Sequence, residues 1–144
     1  MFKMTDSLFD ALDSAFAQQL LALARTLKLD PQVPENQVLD RVALSFRKLL
    51  NYLAQHEEAT ARVLLAYPAR HDIRAQLVAI MQENWQQAQE TGIFRKDIPI
   101  ALLAELFTAM LLQLAQLPAD AATRHQQSLA ATRLFCEGVW LGGE

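Results

Sequence analysis

Residues Glu90 to Leu117, ETGIFRKDIPIALLAELFTAMLLQLAQL, constrain this chain more than any other segment. They read as the end of one helix, a short polar turn, and a second helix that is apolar on nearly every side. Leu102, Leu103, Leu106, Phe107, Met110, Leu111, Leu114 and Leu117 spread around most of that helix's circumference. Such a helix cannot be left in water, so it is expected between the chain's own core and another surface. The simplest other surface is a second copy of the chain. The alternative is a monomer in which this helix is central.

The rest of the chain is read as helical too. Hydrophobic residues make up 52% of 144, with 4 Gly and 5 Pro, which argues against disorder and for long uninterrupted elements. The length suits one domain, residues 1–144. No period-two run of β-branched residues occurs, so the expected fold is all-α, a six-helix bundle. A first helix is expected from Thr5 to Lys28, capped by Thr5 or Asp6, with Leu8, Leu12, Phe16, Leu20, Leu23 and Leu27 on one face. A second starts at Pro34 or Glu35 and carries Val38, Val42, Phe46, Leu49, Leu50 and Leu53.

A short third helix, Glu57 to Tyr67, stops at Pro68. Its acidic Glu57-Glu58 start suits the helix dipole. A fourth, Ala69 to Glu90, turns Ile73, Leu77, Ile80, Met81, Trp85 and Ala88 inward, and Gly92 is its expected C-cap. Asp97 is expected to cap the fifth helix, with Pro99 just inside it, and Arg95 to pair with Asp97 in the turn. The sixth runs from Ala119 or Asp120 to Leu141, with Leu129, Thr132, Arg133, Cys136 and Trp140 on one face. Short loops suggest that sequential helices are antiparallel neighbours.

The dimer expectation rests on the last two helices. Ala130, Ala131 and Gly138 permit another backbone to come close. Two helices from each of two chains would form a four-helix bundle about a two-fold axis. The expected interface residues are Leu103, Leu106, Met110, Leu114, Leu129, Arg133, Cys136 and Trp140.

Composition excludes several functions. A net charge of −3 leaves no basic surface to neutralise a phosphate backbone, so the chain as given is not expected to bind nucleic acid. Cys136 is the only cysteine, which rules out an internal disulfide or a thiolate zinc cluster and suits the cytoplasm. The opening MFKMTDSLFDALDS has no apolar signal region. Ile98 to Leu117 carries Pro99, Glu105, Gln113 and Gln116, which argues against a membrane span. His56, His71 and His125 form no His-x-x-x-His pair, and no Gly-x-Ser-x-Gly or Gly-rich phosphate loop is present. No metal, cofactor or enzymatic activity is therefore expected.

The turn and the helix after it, ETGIFRKDIPIALLAELFTAMLLQL, resemble the C-terminal regulatory domain of TetR-family transcriptional repressors. In that family a Gly-hydrophobic-Arg-x-Asp turn leads into the dimer-forming penultimate helix. The tail TRLFCEGVWLG is similar to the family's last helix. Residues Phe2 to Phe9 resemble the seam between its DNA-reading helix and its long connecting helix, with Phe2 and Leu8 at positions where Phe and Leu are common. The family's N-terminal helix-turn-helix head, which binds DNA in an intact regulator, has no counterpart in this sequence.

The resemblance implies a homodimer with an effector pocket inside its first five helices. A ligand there would tilt the connecting helix and shift the dimer between two geometries. The residues expected to line that pocket are Phe16, Leu20, Phe46, Leu49, Tyr52, Leu53, Tyr67, Met81, Asn84, Trp85, Phe107 and Met110. Asn51, Gln82 and Gln113 are further polar anchors. These side chains suit a small hydrophobic or aromatic effector rather than a sugar or phosphate. The same aromatics also serve as ordinary core. Two alternatives follow: a helical protein–protein interaction module with a solid core, and an enzyme, which would need paired carboxylates or a metal in a cleft.

Overall fold

The computed structural model describes residues 2–30, 32–65 and 72–139. It is all-α: α1 (Phe2–Arg25), α2 (Glu35–Gln55), α3 (Glu57–Thr60), α4 (Ile73–Glu90), α5 (Ile100–Ala115) and α6 (Ala121–Val139). The expected stop at Pro68 and the glycines at 142 and 143 lie outside the described residues.

The expected stripes of α2 and α4 are buried as a whole. Val38, Val42, Phe46, Leu49, Leu50 and Leu53 on α2 meet Ile73, Leu77, Ile80, Met81, Trp85 and Ala88 on α4 in one hydrophobic core. The neighbours, however, are mostly not sequential. α1 packs on α4, α4 on α5, α5 on α2, and α2 on α6. Helix α2 can serve two partners because its apolar residues cover a broad arc, with Ala43 buried beside the main stripe.

An aromatic hub ties these layers together. Trp85 of α4 stands edge-on to Phe107 of α5, with ring centroids 4.6 Å apart at 89°. Phe46 of α2 stands edge-on to Phe107 at 5.2 Å. Phe135 of α6 lies 5.5 Å from Trp85, and Phe94 of the α4–α5 turn lies 5.9 Å from it. Such pairs contribute about 0.5–1.5 kcal/mol each beyond the area they bury.

Polar groups fix the helix ends. The Asn84 amide donates to the Ala24 carbonyl at 2.8 Å, an acceptor in the last turn of α1. The Tyr52 hydroxyl donates to the Phe16 carbonyl at 2.9 Å, and the two rings stack at 5.4 Å. Asp13 is 4% exposed. It accepts two hydrogen bonds on one oxygen from Arg62, at 3.0 and 2.8 Å, which ties α1 to the turn after α3. Sequence patterning misses this pair because the two residues stand far apart in the chain.

Several helix ends differ from expectation. Thr5 and Asp6 lie inside α1, which begins at Phe2, so neither is its cap. α3 ends at Thr60, and a wider π-type turn follows over Ala61–Leu65. Thr60 starts that change by donating its hydroxyl back to the Leu53 carbonyl. Pro99, not Asp97, occupies the N-cap position of α5. Asp97 is instead engaged by Arg95, at 2.6 Å on each of its oxygens. Gly92 does terminate α4, with φ of 87° that favours glycine. The Gln89 side chain then donates to the Arg95 and Ile98 carbonyls and shapes the turn.

Two stability outcomes are expected. Trp85→Ala removes the centre of the hub and lowers unfolding free energy in urea by about 3–5 kcal/mol. Arg62→Met strands the buried Asp13 carboxylate and costs about 3 kcal/mol, most of it recovered when Asp13→Leu is added.

Candidate functional site

Two surface features stand out: an outward face on α5 and α6, and a groove at the joint of α1 and α2. Helix α5 buries Leu103, Ala104, Phe107, Thr108, Leu111 and Leu112. Its opposite side keeps Leu102 at 48% and Leu106 at 49% exposure. Met110 and Leu114 continue that row half-buried. Residues 102, 106, 110 and 114 form one i±4 ridge, the kind that packs into the groove of another helix.

Helix α6 buries Ser128, Thr132, Phe135 and Cys136. Its outward ridge is Ala130, Leu134 and Gly138, again at i±4, with Leu134 the most exposed large apolar residue at 72%. A Cβ added at Gly138 would meet open space. Of the residues expected at an interface, Leu106 and Leu129 are exposed, Met110 and Leu114 half-buried, and Leu103 and Cys136 buried in the chain's own core. Arg133 faces water and pairs with Glu137 at 2.9 Å. Trp140 lies outside the described residues. Leu102 was expected on the apolar fifth helix but not in the interface set, and Leu134 in neither; the available signal for Leu134 was the Ala130–Leu134–Gly138 spacing, a large side chain flanked by two small ones.

The turn before α5 is linked to the end of α6. Arg95 holds Asp97 and also donates to the Gly138 carbonyl at 3.2 Å. The Arg95 guanidinium keeps the Asp97 carboxyl below the usual carboxylate range. At the other end of α6, the Asp120 carboxylate accepts the Thr123 amide at 2.8 Å as a true N-cap.

The residues expected to line an effector pocket come together, but as packed core. Phe16, Leu20, Phe46, Leu49, Leu53, Met81, Trp85 and Phe107 are buried in one cluster. Asn84 is buried and engaged with Ala24. Tyr52 is half-buried, and Met110 belongs to the outward ridge of α5. Tyr67 lies outside the described residues. Asn51 accepts from Arg124 at 3.1 Å, Gln82 is half-buried, and Gln113 is exposed.

The groove, of about 290 Å³, opens between the end of α1, the following loop and α2, and Trp85 lines it. Leu27, Val33, Val42 and Leu44 supply apolar walls, and Lys28, Arg41 and Lys48 also line it. A wider depression of about 570 Å³ lies beside Leu12, Phe16, His56 and Arg62.

The histidines and the cysteine have ordinary roles where described. His56 packs on the Tyr52 ring at 4.4 Å. His125 Nδ1 accepts from Arg47 at 2.7 Å, since a guanidinium can only donate. His71 lies outside the described residues. Among the described residues, no group of three or more His, Cys, Asp or Glu is placed to hold a metal ion. No helix there is long and apolar enough to cross a membrane. Burial pushes the Cys136 thiol up to about 12.

No family model, curated protein or solved structure matches this chain.

Cys136 is therefore expected to resist an aromatic disulfide reagent at pH 8 in the native protein and to react fully in guanidinium, because only the thiolate attacks. Prompt native reaction would show that the end of α6 opens readily.

Proposed function

We propose that this chain is the regulatory and dimerisation domain of a TetR-like transcription regulator, joined to a second copy through α5 and α6. The observation that carries the reading is the pair of uncovered ridges, Leu102–Leu106–Met110–Leu114 and Ala130–Leu134–Gly138. They lie on the two helices whose turn and tail sequences resemble that family's dimer-forming helices.

Magnitudes are consistent with a two-chain assembly. Covering the exposed halves of Leu102, Leu106, Leu117 and Leu134 contributes about 1 kcal/mol per side chain, or roughly 8 kcal/mol over two copies. Association costs roughly 4–15 kcal/mol, so the half-buried Met110 and Leu114 and the alanines must add their share. In this reading Arg95 is a structural hinge pin: it holds the start of α5 to the end of α6 and keeps the two ridges in register. DNA contact belongs to a separate helix-turn-helix head in the family, and the charge of −3 fits a domain that does not bind DNA itself.

The packed core favours a second reading, a helical interaction module with no internal small-molecule pocket. Both readings place a partner on α5 and α6; they differ in whether that partner is identical and whether a ligand regulates it.

Light scattering tests the proposal. The expected mass is about 32 kDa, twice the 16.2 kDa of one chain. Leu106→Glu with Leu134→Glu is expected to halve that mass without loss of helicity. A one-chain mass for the unmodified protein at every concentration contradicts the dimer.

A further inference from the structure

We infer that the groove between the end of α1 and α2 binds a small organic acid, with its apolar body against Val33 and Leu44, above the buried Trp85, and its carboxylate among Lys28, Arg41 and Lys48. This deepens the regulatory reading by naming a ligand class, and it moves the ligand from the packed core to a groove at the core's edge.

Three observations support the site. First, the groove holds about 290 Å³, just below the roughly 300–1,000 Å³ typical of drug-sized ligand sites, which suits a small ligand. Second, its walls have two characters. Leu44 is exposed and Val33 half-buried on the apolar side, above the buried Leu27, Val42 and Trp85. Third, the groove carries three cations, Lys28, Arg41 and Lys48, against one carboxylate, Asp30. In a chain of net charge −3, Lys28, Arg41 and Lys48 converge on one groove. Among the described residues none of the three is in an ion pair.

The remaining polar groups narrow the class. The Thr26 hydroxyl donates to the Leu23 carbonyl and the Ser45 hydroxyl to the Arg41 carbonyl. Those hydroxyls have no proton left for a ligand. The Asp30 carboxylate accepts the Gln32 backbone amide on one oxygen at 2.9 Å and keeps its charge, which the three cations outweigh. The strong donors facing the groove are therefore the three cations, which favour an anionic head over a neutral polar one. Arg41 and Lys48 stand about 10 Å apart along α2, two turns of helix, so a carboxylate between them is within reach of both flexible side chains.

The site also couples to the rest of the molecule. Leu29 donates its backbone amide to the Asn84 carbonyl at 3.4 Å, and the Asn84 amide holds Ala24. A ligand bridging the end of α1 to α2 presses on the same joint that fastens α1 to α4.

Tryptophan emission tests the inference. With Trp140→Phe as background, Trp85 is the only indole, since the chain has 2 Trp. Cyclohexylacetate, cyclohexylacetamide and acetate are titrated in turn. The acid is expected to give a saturable change, the amide of the same shape to bind about ten-fold more weakly, and acetate to give none. Arg41→Gln with Lys48→Gln, both on exposed positions, is expected to bring the acid down to the amide's affinity. Equal affinity of acid and amide, or no saturable response to either, overturns the inference. The mass in solution is measured in parallel. A dimer that fails to bind overturns this inference and leaves the assembly standing, whereas a monomer that binds the acid supports the groove while the dimer reading falls.

Discussion

Helix α5 has more apolar surface than its own chain covers, and the architecture follows from how that surface is shared. Its inner side, through Leu103, Phe107, Leu111 and Leu112, is fully used by α4 and α2. Its outer side, through Leu102 and Leu106, is left half in water. Helix α6 does not close the gap, because it packs chiefly on α2 and touches α5 little. The two outward ridges are thus left by a packing in which α5 spends its inner side on α4 and α2, and α6 spends its own on α2. In the proposed dimer a second copy would cover them.

The aromatic hub sets where that surface points. Trp85, Phe107, Phe46 and Phe135 come from four different helices; three of their contacts are edge-on and that of Trp85 with Phe135 is tilted. Rotation of α5 or α6 by one side-chain position would pull Phe107 or Phe135 out of the cluster. The hub therefore holds both outward ridges in phase, and Arg95, bound to Asp97 and to the Gly138 carbonyl, holds their ends together. Trp85 also lies beneath the groove at the α1–α2 joint, so the same ring adjoins the most strongly cationic concavity described.

Much of this was legible in the amino-acid order. The stripes of α2 and α4 repeat at three and four residues and are buried as that period requires. Gly92 takes the positive φ expected of a C-cap, and Arg95 pairs with Asp97. What escaped depends on the partner, not on the period. The phase of α6 was read one side off: Arg133 was placed with Cys136 and Leu134 overlooked, because a helix with alanines on several sides has no single apolar stripe. The Asp97 cap failed because Arg95, two residues away, competes for the same carboxylate. The Asp13–Arg62 pair and the Thr60 back-bond are contacts between distant or irregular positions that no local spacing encodes. Most of the expected pocket residues meet in one core, and aromatics that enclose a ligand and aromatics that enclose one another follow the same sequence pattern.

The concentration dependence of thermal unfolding tests most directly whether α5 needs a second copy. Folding coupled to association makes the midpoint rise with protein concentration, whereas an independent monomer unfolds at one temperature. Circular dichroism melts from about 1 to 100 μM are expected to shift upward by several degrees, with Leu106→Glu abolishing the shift. A midpoint that stays constant across that range, in a chain with full helicity, would contradict the account, because it would mean that the outer ridge of α5 is stable in water.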